Sequence, residues 1–112
     1  MKRIEAIIRP DKVSGVFNAL KNVGHPGVMV SEIEGHGNQE GLKLQVRGNV
    51  YNVDLVTKAR VEVIVKENEL DMIIDAIRTA AYTGEIGDGK IFIHPVYDVM
   101  RVRTGERGES AV

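Results

Sequence analysis

Cysteine and tryptophan are both missing from this chain of 112 residues, and aromatic residues of any kind make up 4% of it. Without cysteine there can be no disulfide, thiolate metal site or cysteine nucleophile. With so few aromatics, a stacking platform for RNA or DNA bases is not expected. An excess of one charge is missing too. The chain carries 15 Lys and Arg against 16 Asp and Glu, a formal net charge of −1, so neither a nucleic-acid-binding surface nor a polybasic membrane patch is expected. No apolar run approaches the ~20 residues of a membrane span. The basic start Met1-Lys2-Arg3 leads into too short an apolar stretch for a signal peptide. These absences point to a single cytoplasmic domain, 1–112, able to bury a core without staples.

What is present reads twice. Arg3-Ile4-Glu5-Ala6-Ile7-Ile8 matches Arg60-Val61-Glu62-Val63-Ile64-Val65, and the distance from Arg3 to Arg60 also carries Val13, Val16, Phe17 and Leu20 onto Leu70, Ile73, Ile74 and Ile77. Each of these latter sets follows i, i+3, i+4, i+7, the apolar stripe of an amphipathic helix. Asp11 and Asn68 precede the stripes as candidate N-caps, and Gly24 and Gly84 follow as candidate stops. A further strand comes after each helix, "GVMVSEI" and then "KIFIHPV", and the tail carries a short "MRVRT" strand. A duplicated βαβ unit predicts an α+β, ferredoxin-like sandwich, one antiparallel sheet with helices on one face. By the two-residue period of a strand, Ile4, Ala6 and Ile8 point to the helices, as do Val61, Val63 and Val65. The opposite face alternates charge with Ile7 and Ile64, as either a solvated surface or a seam between subunits. Glu5 and Glu62 hold equivalent positions there, and Arg3 and Arg60 are their expected partners.

Residues 36–57 separate the repeats. A stretch this long inside a compact unit is usually functional or disordered. Its aliphatics, Leu42, Leu44, Val46, Val50 and Val53, alternate with polar residues and predict a hairpin or ribbon, an arm suited to ordering against a ligand or partner.

Three glycines crowd "TGEIGDGKIFIHPV", residues 83–96. Gly87 and Gly89 permit backbone conformations that aim successive N–H groups into one concavity, an anion nest, and Lys90 adds a point charge. The spacing differs from the P-loop, and no hydroxyl follows the lysine. Arg101 and Arg103, alternating on the expected tail strand, offer two guanidiniums on one face, donors suited to a polyphosphate. Catalytic constellations are poor: His25, His36 and His94 lack metal-ligand spacing, and Ser14, Ser31 and Ser110 lie in no nucleophile elbow. Binding therefore outranks catalysis.

These stretches resemble the PII nitrogen-regulatory signal-transduction family over essentially the whole chain. "TGEIGDGKIFIHPV" is similar to its C-terminal signature, and "AIIRP" (6–10), "SEIEGHG" with Gln39, "VD" (53–54) before Lys58, and "RVRTGE" (101–106) also match. The resemblance implies a non-enzymatic homotrimer whose inserts project as T-loops (about 36–57), with a C-terminal tail from about 104 to 112. It implies ATP or ADP in clefts between subunits and, with Mg-ATP, 2-oxoglutarate at the arm base. Gly87, Asp88, Gly89 and Lys90 would hold the phosphates, with Arg101 and Arg103 reaching in from the neighbour. Ile7, Met29, Gly35, Gly37, Asn38, Glu62 and Ile64 would complete the nucleotide pocket. Gln39 would contact nucleotide and ligate Mg²⁺, and 2-oxoglutarate would meet Gln39, Lys58 and Gly87. Expected partners are an ammonium transporter, or a nitrogen-assimilation or nitrogen-fixation enzyme or its regulator, with no nucleic acid and no membrane insertion.

Some residues depart from the family pattern. Asn38 stands where arginine is usual, Met29 replaces a threonine that meets the adenine edge, and His36 replaces a phenylalanine. Tyr51 is the modification candidate, yet Val46, Asn49 and Val50 depart from the uridylylation signature, which argues against modification there. Two alternatives follow: a sensor of adenine nucleotides alone, and a small ferredoxin-like acyl-phosphate or phosphate hydrolase. A related trimeric metal-responsive protein would leave the glycine loop and the two arginines without a role.

Overall fold

A computed structural model describes residues 1–25, 27–36, 42–46, 49–53 and 55–112, and between residues 35 and 55 it describes backbone alone. Its elements are β1 (Lys2–Ile8), α1 (Val13–Asn22), β2 (Met29–His36), β3 (Leu42–Val46), β4 (Asn49–Val53), β5 (Leu55–Val65), α2 (Leu70–Ala81) and β6 (Gly89–Pro95). Four strands form an antiparallel sheet in the order β2-β5-β1-β6. Each βαβ unit thus has a strand of the other unit between its own two, which is the expected ferredoxin-like arrangement.

The register gives the duplication its geometry. Glu5 pairs with Glu62, Arg3 with Ile64 and Ile7 with Arg60, so equivalent residues meet across a pseudo-twofold centred on the two glutamates. Their ion pairs obey the same symmetry: Arg3 reaches Glu62 at 3.6 Å, and Arg60 reaches Glu5 at 3.4 Å. The pairs run diagonally between strands, each joining residues two positions out of register on one face, a separation that long side chains span.

On the other face, Ile4, Ala6, Ile8, Val61, Val63 and Val65 are buried against Val16 and Leu20 of α1 and Ile73 and Ile77 of α2. Burying each large aliphatic contributes about 1.5–3 kcal/mol, so this layer supplies much of the drive to fold. Phe17, at the margin of its stripe, remains 40% exposed.

Both helices begin differently from the sequence reading. Neither Asp11 nor Asn68 caps with its side chain; each lies inside a 3-10 turn, Pro10–Lys12 or Glu67–Glu69. Pro10 fixes the first turn early, and the backbone bonds Lys12 N–H to Arg9 carbonyl and Glu69 N–H to Lys66 carbonyl, both 3.0 Å, supply the entry. Gly24 does close α1: its N–H donates to Lys21 and that of His25 to Leu20, the paired bonds of a Schellman stop. Gly84 is not the stop of α2, which ends when Tyr82 turns extended (φ −68, ψ 132).

The insert is shorter than its expected bounds, since β2 and β5 run into it and pair as far as Gly35 with Val56 and His36 with Leu55. Within it β3 and β4 form the expected hairpin. The "MRVRT" strand does not form. A single antiparallel bridge, Met100 to Arg107, closes a turn instead, with the Gly105 N–H donating to the Arg101 carbonyl at 2.8 Å. The chain reverses there at Gly105, which takes φ +72. Arg101 and Arg103 therefore belong to a turn, and strand alternation does not place their side chains.

Candidate functional site

The glycine loop joins α2 to β6 and is built around a carboxylate. The backbone N–H groups of Thr83 and Gly84 each donate to Asp88 Oδ2 at 2.9 Å, and the Thr83 hydroxyl donates to Oδ1. Arg9 Nε donates to the same Oδ1 at 3.2 Å, and Arg9 Nη2 donates to the Ile86 carbonyl at 2.8 Å. The Thr83 hydroxyl first, and then its backbone N–H, hold the Asp88 carboxyl well below the usual carboxylate range. Asp88 therefore stays ionised but faces into its own loop, where donors offset its charge.

Gly87 and Gly89 both take φ +102, the type of conformation the sequence anticipates. Gly89 is further constrained by space: a Cβ there would stand 1.7 Å from the Ile7 carbonyl oxygen. This close approach starts β6, setting Gly89 opposite Ile8 and Lys90 opposite Ile7. Gly89 and Lys90 also line a cleft of about 260 Å³ with Arg78 and Tyr82, which adds a second cation beside the loop. From β5, half-buried Lys58 donates through Nζ to the Gly87 carbonyl at 2.5 Å. Burial, and secondarily the positive charge of Arg9, push the Lys58 amine below its ordinary range, while Asp88 pulls the other way.

Ile7, Lys58 and Gly87–Lys90 thus come together at one end of the sheet. Met29, Glu62 and Ile64 do not join them. They line a separate open cleft of about 610 Å³, whose wall also includes His25, Val99, Ala111 and Val112. Met29 is opposite Glu62 in register and is 57% exposed. At ~3.3 Å per strand residue, Lys58 and Glu62 are about 13 Å apart along β5, so a single subunit does not gather all the anticipated nucleotide residues into one pocket. Arg101 pairs with Glu106 at 3.0 Å, and Arg103 has no ion pair among the described residues. Gly35 is opposite Val56 near the end of the β2–β5 pairing, and Tyr51 is on β4 opposite Leu44. Gly37, Asn38 and Gln39 lie outside the described residues, as do the side chains of His36 and Tyr51.

Sequence reasoning did not single out Arg9 or Thr83, the residues that shape the glycine loop. The five-residue spacing from Thr83 to Asp88 has no meaning until the loop folds, and Arg9 is far away in sequence. Among the described residues, no cluster of His, Cys, Asp or Glu could hold a metal, and no helix is long and apolar enough to cross a membrane.

The chain is similar throughout its length to proteins already characterised. A family model described as "Nitrogen regulatory protein P-II" matches residues 1–106. The "Nitrogen regulatory protein P-II" of Microchaete diplosiphon is 52% identical, with all of both chains covered. The "Nitrogen regulatory protein P-II 2" of Methanothermobacter thermautotrophicus is 46% identical over all of this chain and 97% of its own. Among solved structures, an Arabidopsis thaliana PII bound to citrate superposes with a TM-score of 0.82 at 42% identity, covering 99% of this chain and 91% of that one. These names describe regulatory proteins rather than enzymes, which sets the hydrolase alternative aside.

Proposed function

This chain belongs to the nitrogen regulatory protein P-II family, and on that premise we propose that it is a trimeric sensor of adenine nucleotide and 2-oxoglutarate. ATP or ADP occupies a cleft between subunits. With Mg-ATP in place, 2-oxoglutarate binds at the base of the T-loop, whose conformation then selects the partner. The partner is an ammonium transporter or an enzyme or regulator of nitrogen assimilation or fixation, met in the cytoplasm.

The observation that carries this reading is the stapled Gly87–Lys90 loop beside Lys58. A loop preorganised around a neutralised carboxylate, with two cations alongside, suits a polyphosphate and a neighbouring carboxylate. The separation of Met29, Glu62 and Ile64 from that loop fits a pocket completed by a second subunit. Gln39 would supply the oxygen donor to Mg²⁺, in keeping with that ion's hard-donor preference. The Arabidopsis relative binds citrate, a small polycarboxylate of the same chemical class as 2-oxoglutarate. Ligand-dependent partner choice then follows from linkage: each ligand biases the arm only by its differential affinity for the arm's states.

A nucleotide-only sensor is the second reading. It is favoured by Lys58 already donating to the Gly87 carbonyl, a bond that an incoming carboxylate must compete with. Calorimetric titration of 2-oxoglutarate with Mg-ATP, with Mg-ADP and without nucleotide separates the two. Binding in the presence of Mg-ATP alone is the expected result; nucleotide binding without any 2-oxoglutarate response would favour the second reading. Lys58→Ala is expected to weaken 2-oxoglutarate at least tenfold, on the scale of a charge-assisted pair, while sparing Mg-ATP. Equal loss of both ligands would remove Lys58 from the effector site.

A further inference from the structure

We propose that Asp98 is a positioning residue of the nucleotide site, its carboxylate clasping the two ends of the tail loop 98–108 and so fixing where Arg101 and Arg103 stand. The inference rests on the nucleotide reading above, which gives those arginines the polyphosphate.

The clasp is dense for an exposed loop. Asp98 Oδ1 accepts the Val99 N–H at 2.8 Å and the Gly108 N–H at 3.1 Å, joining the first and last residues of the turn. Asp98 Oδ2 accepts Arg107 Nε at 2.7 Å and also Arg107 Nη2, a fork that one carboxylate oxygen holds from both nitrogens. Behind it, the Gly108 N–H donates to the Val99 carbonyl at 3.0 Å and the Arg101 N–H to the Glu106 carbonyl at 2.9 Å. The Arg107 guanidinium first, then the Val99 amide, hold the Asp98 carboxyl below its ordinary range, so the clasp is charged at neutral pH.

Apolar packing at the tip does not do this job. Val102, at the tip, is 99% exposed, and the turn is joined to the fold through its two ends. Polar closure at the base is therefore what limits the wandering of the two arginines. Beyond Gly108 the chain enters the short 3-10 turn Glu109–Ala111, where Ala111 is buried and lines the cleft shared by Met29, Glu62 and Ile64. Asp98 thus ties the arginine turn to the wall of that cleft. Preorganising flexible cations lowers the ordering cost of binding a polyanion.

The test is calorimetric binding of Mg-ATP to the full-length chain and to three variants: Asp98→Ala, the double variant Arg101→Ala/Arg103→Ala, and the triple combination. Asp98→Ala is expected to weaken Mg-ATP about tenfold with only a small fall in melting temperature, since the bonds it loses lie within an exposed turn. The triple variant is expected to bind no more weakly than the double, because Asp98 acts through the arginines. A purely structural role would instead lower the melting temperature and leave Mg-ATP affinity below it unchanged. Wild-type affinity in Asp98→Ala alongside a weakened double variant would overturn the clasp and leave the nucleotide reading intact, and a fully additive triple loss would overturn it as well. If the wild type binds no Mg-ATP, the nucleotide reading fails and the clasp with it; if the double variant binds as well as the wild type, the arginines have no role at the site and the clasp alone fails.

Discussion

Asp88 and Gly89 show how two adjacent residues shape one loop by opposite means, one by attraction and one by exclusion. The Asp88 carboxyl is held below its ordinary value by Thr83, Gly84 and Arg9, so its contribution is a depressed-pKa one. It is present above the unfolded value near 3.8 and is lost as pH falls from there toward the folded value. Asp88→Asn should therefore be less stable than the wild type at pH 7. The gap should narrow below about pH 4, read by thermal unfolding across pH; a gap constant from pH 7 to pH 2 would exclude ionised Asp88 as its cause. Gly89 acts through space. An alanine Cβ 1.7 Å from the Ile7 carbonyl oxygen cannot be accommodated without moving β6 away from β1. Gly89→Ala should cost about 3 kcal/mol, the upper end for strained backbone positions, measured by denaturant unfolding.

Among the elements, α2 links core to site. Ile73 and Ile77 are fully buried on the sheet, while the C-terminal end of the helix delivers the chain to Thr83 and the glycine loop. Ile77→Ala should destabilise the fold by about 2–5 kcal/mol, the range for deleting buried aliphatics. Because the loop is held by Arg9 and Asp88 rather than by this packing, nucleotide affinity below the melting temperature should change less than twofold. A large loss of affinity in the folded variant would show that helix packing, not the polar staple, sets the loop.

For the whole molecule, the outer face of the sheet poses the remaining packing problem. It carries the Arg3–Glu62 and Arg60–Glu5 pairs, and His94 approaches Glu5 at 3.6 Å. Phe92, opposite Glu5 in register, is 44% exposed in the single chain, beside half-buried Ile7 and Ile64. Apolar groups interleaved with charges already paired within the subunit suit burial against sister subunits. If that face is the seam of the proposed trimer, Phe92→Asp should shift the species seen by light scattering from three chains, each of 12.3 kDa, toward one. A variant that stays trimeric would place the interface elsewhere.

The sequence by itself determined the duplicated βαβ unit, the two faces of β1 and β5, and the unusual backbone angles of the glycine loop. Those follow from short-range rules: alternation along a strand, the helical period, and residues that permit unusual backbone angles. It also foresaw Arg3 and Arg60 as partners of Glu5 and Glu62, since the repeat made them equivalent. Helix entries and the tail were misread locally, because 3-10 turns and a glycine reversal satisfied the backbone in place of Asp11, Asn68 and a strand. Tertiary structure alone brought Arg9 to Asp88, Lys58 to the Gly87 carbonyl and Asp98 to Arg107. It alone divided the anticipated nucleotide residues between two ends of the sheet. Such contacts depend on strand register and chain reversal, which act over distances that spacing along the chain does not encode.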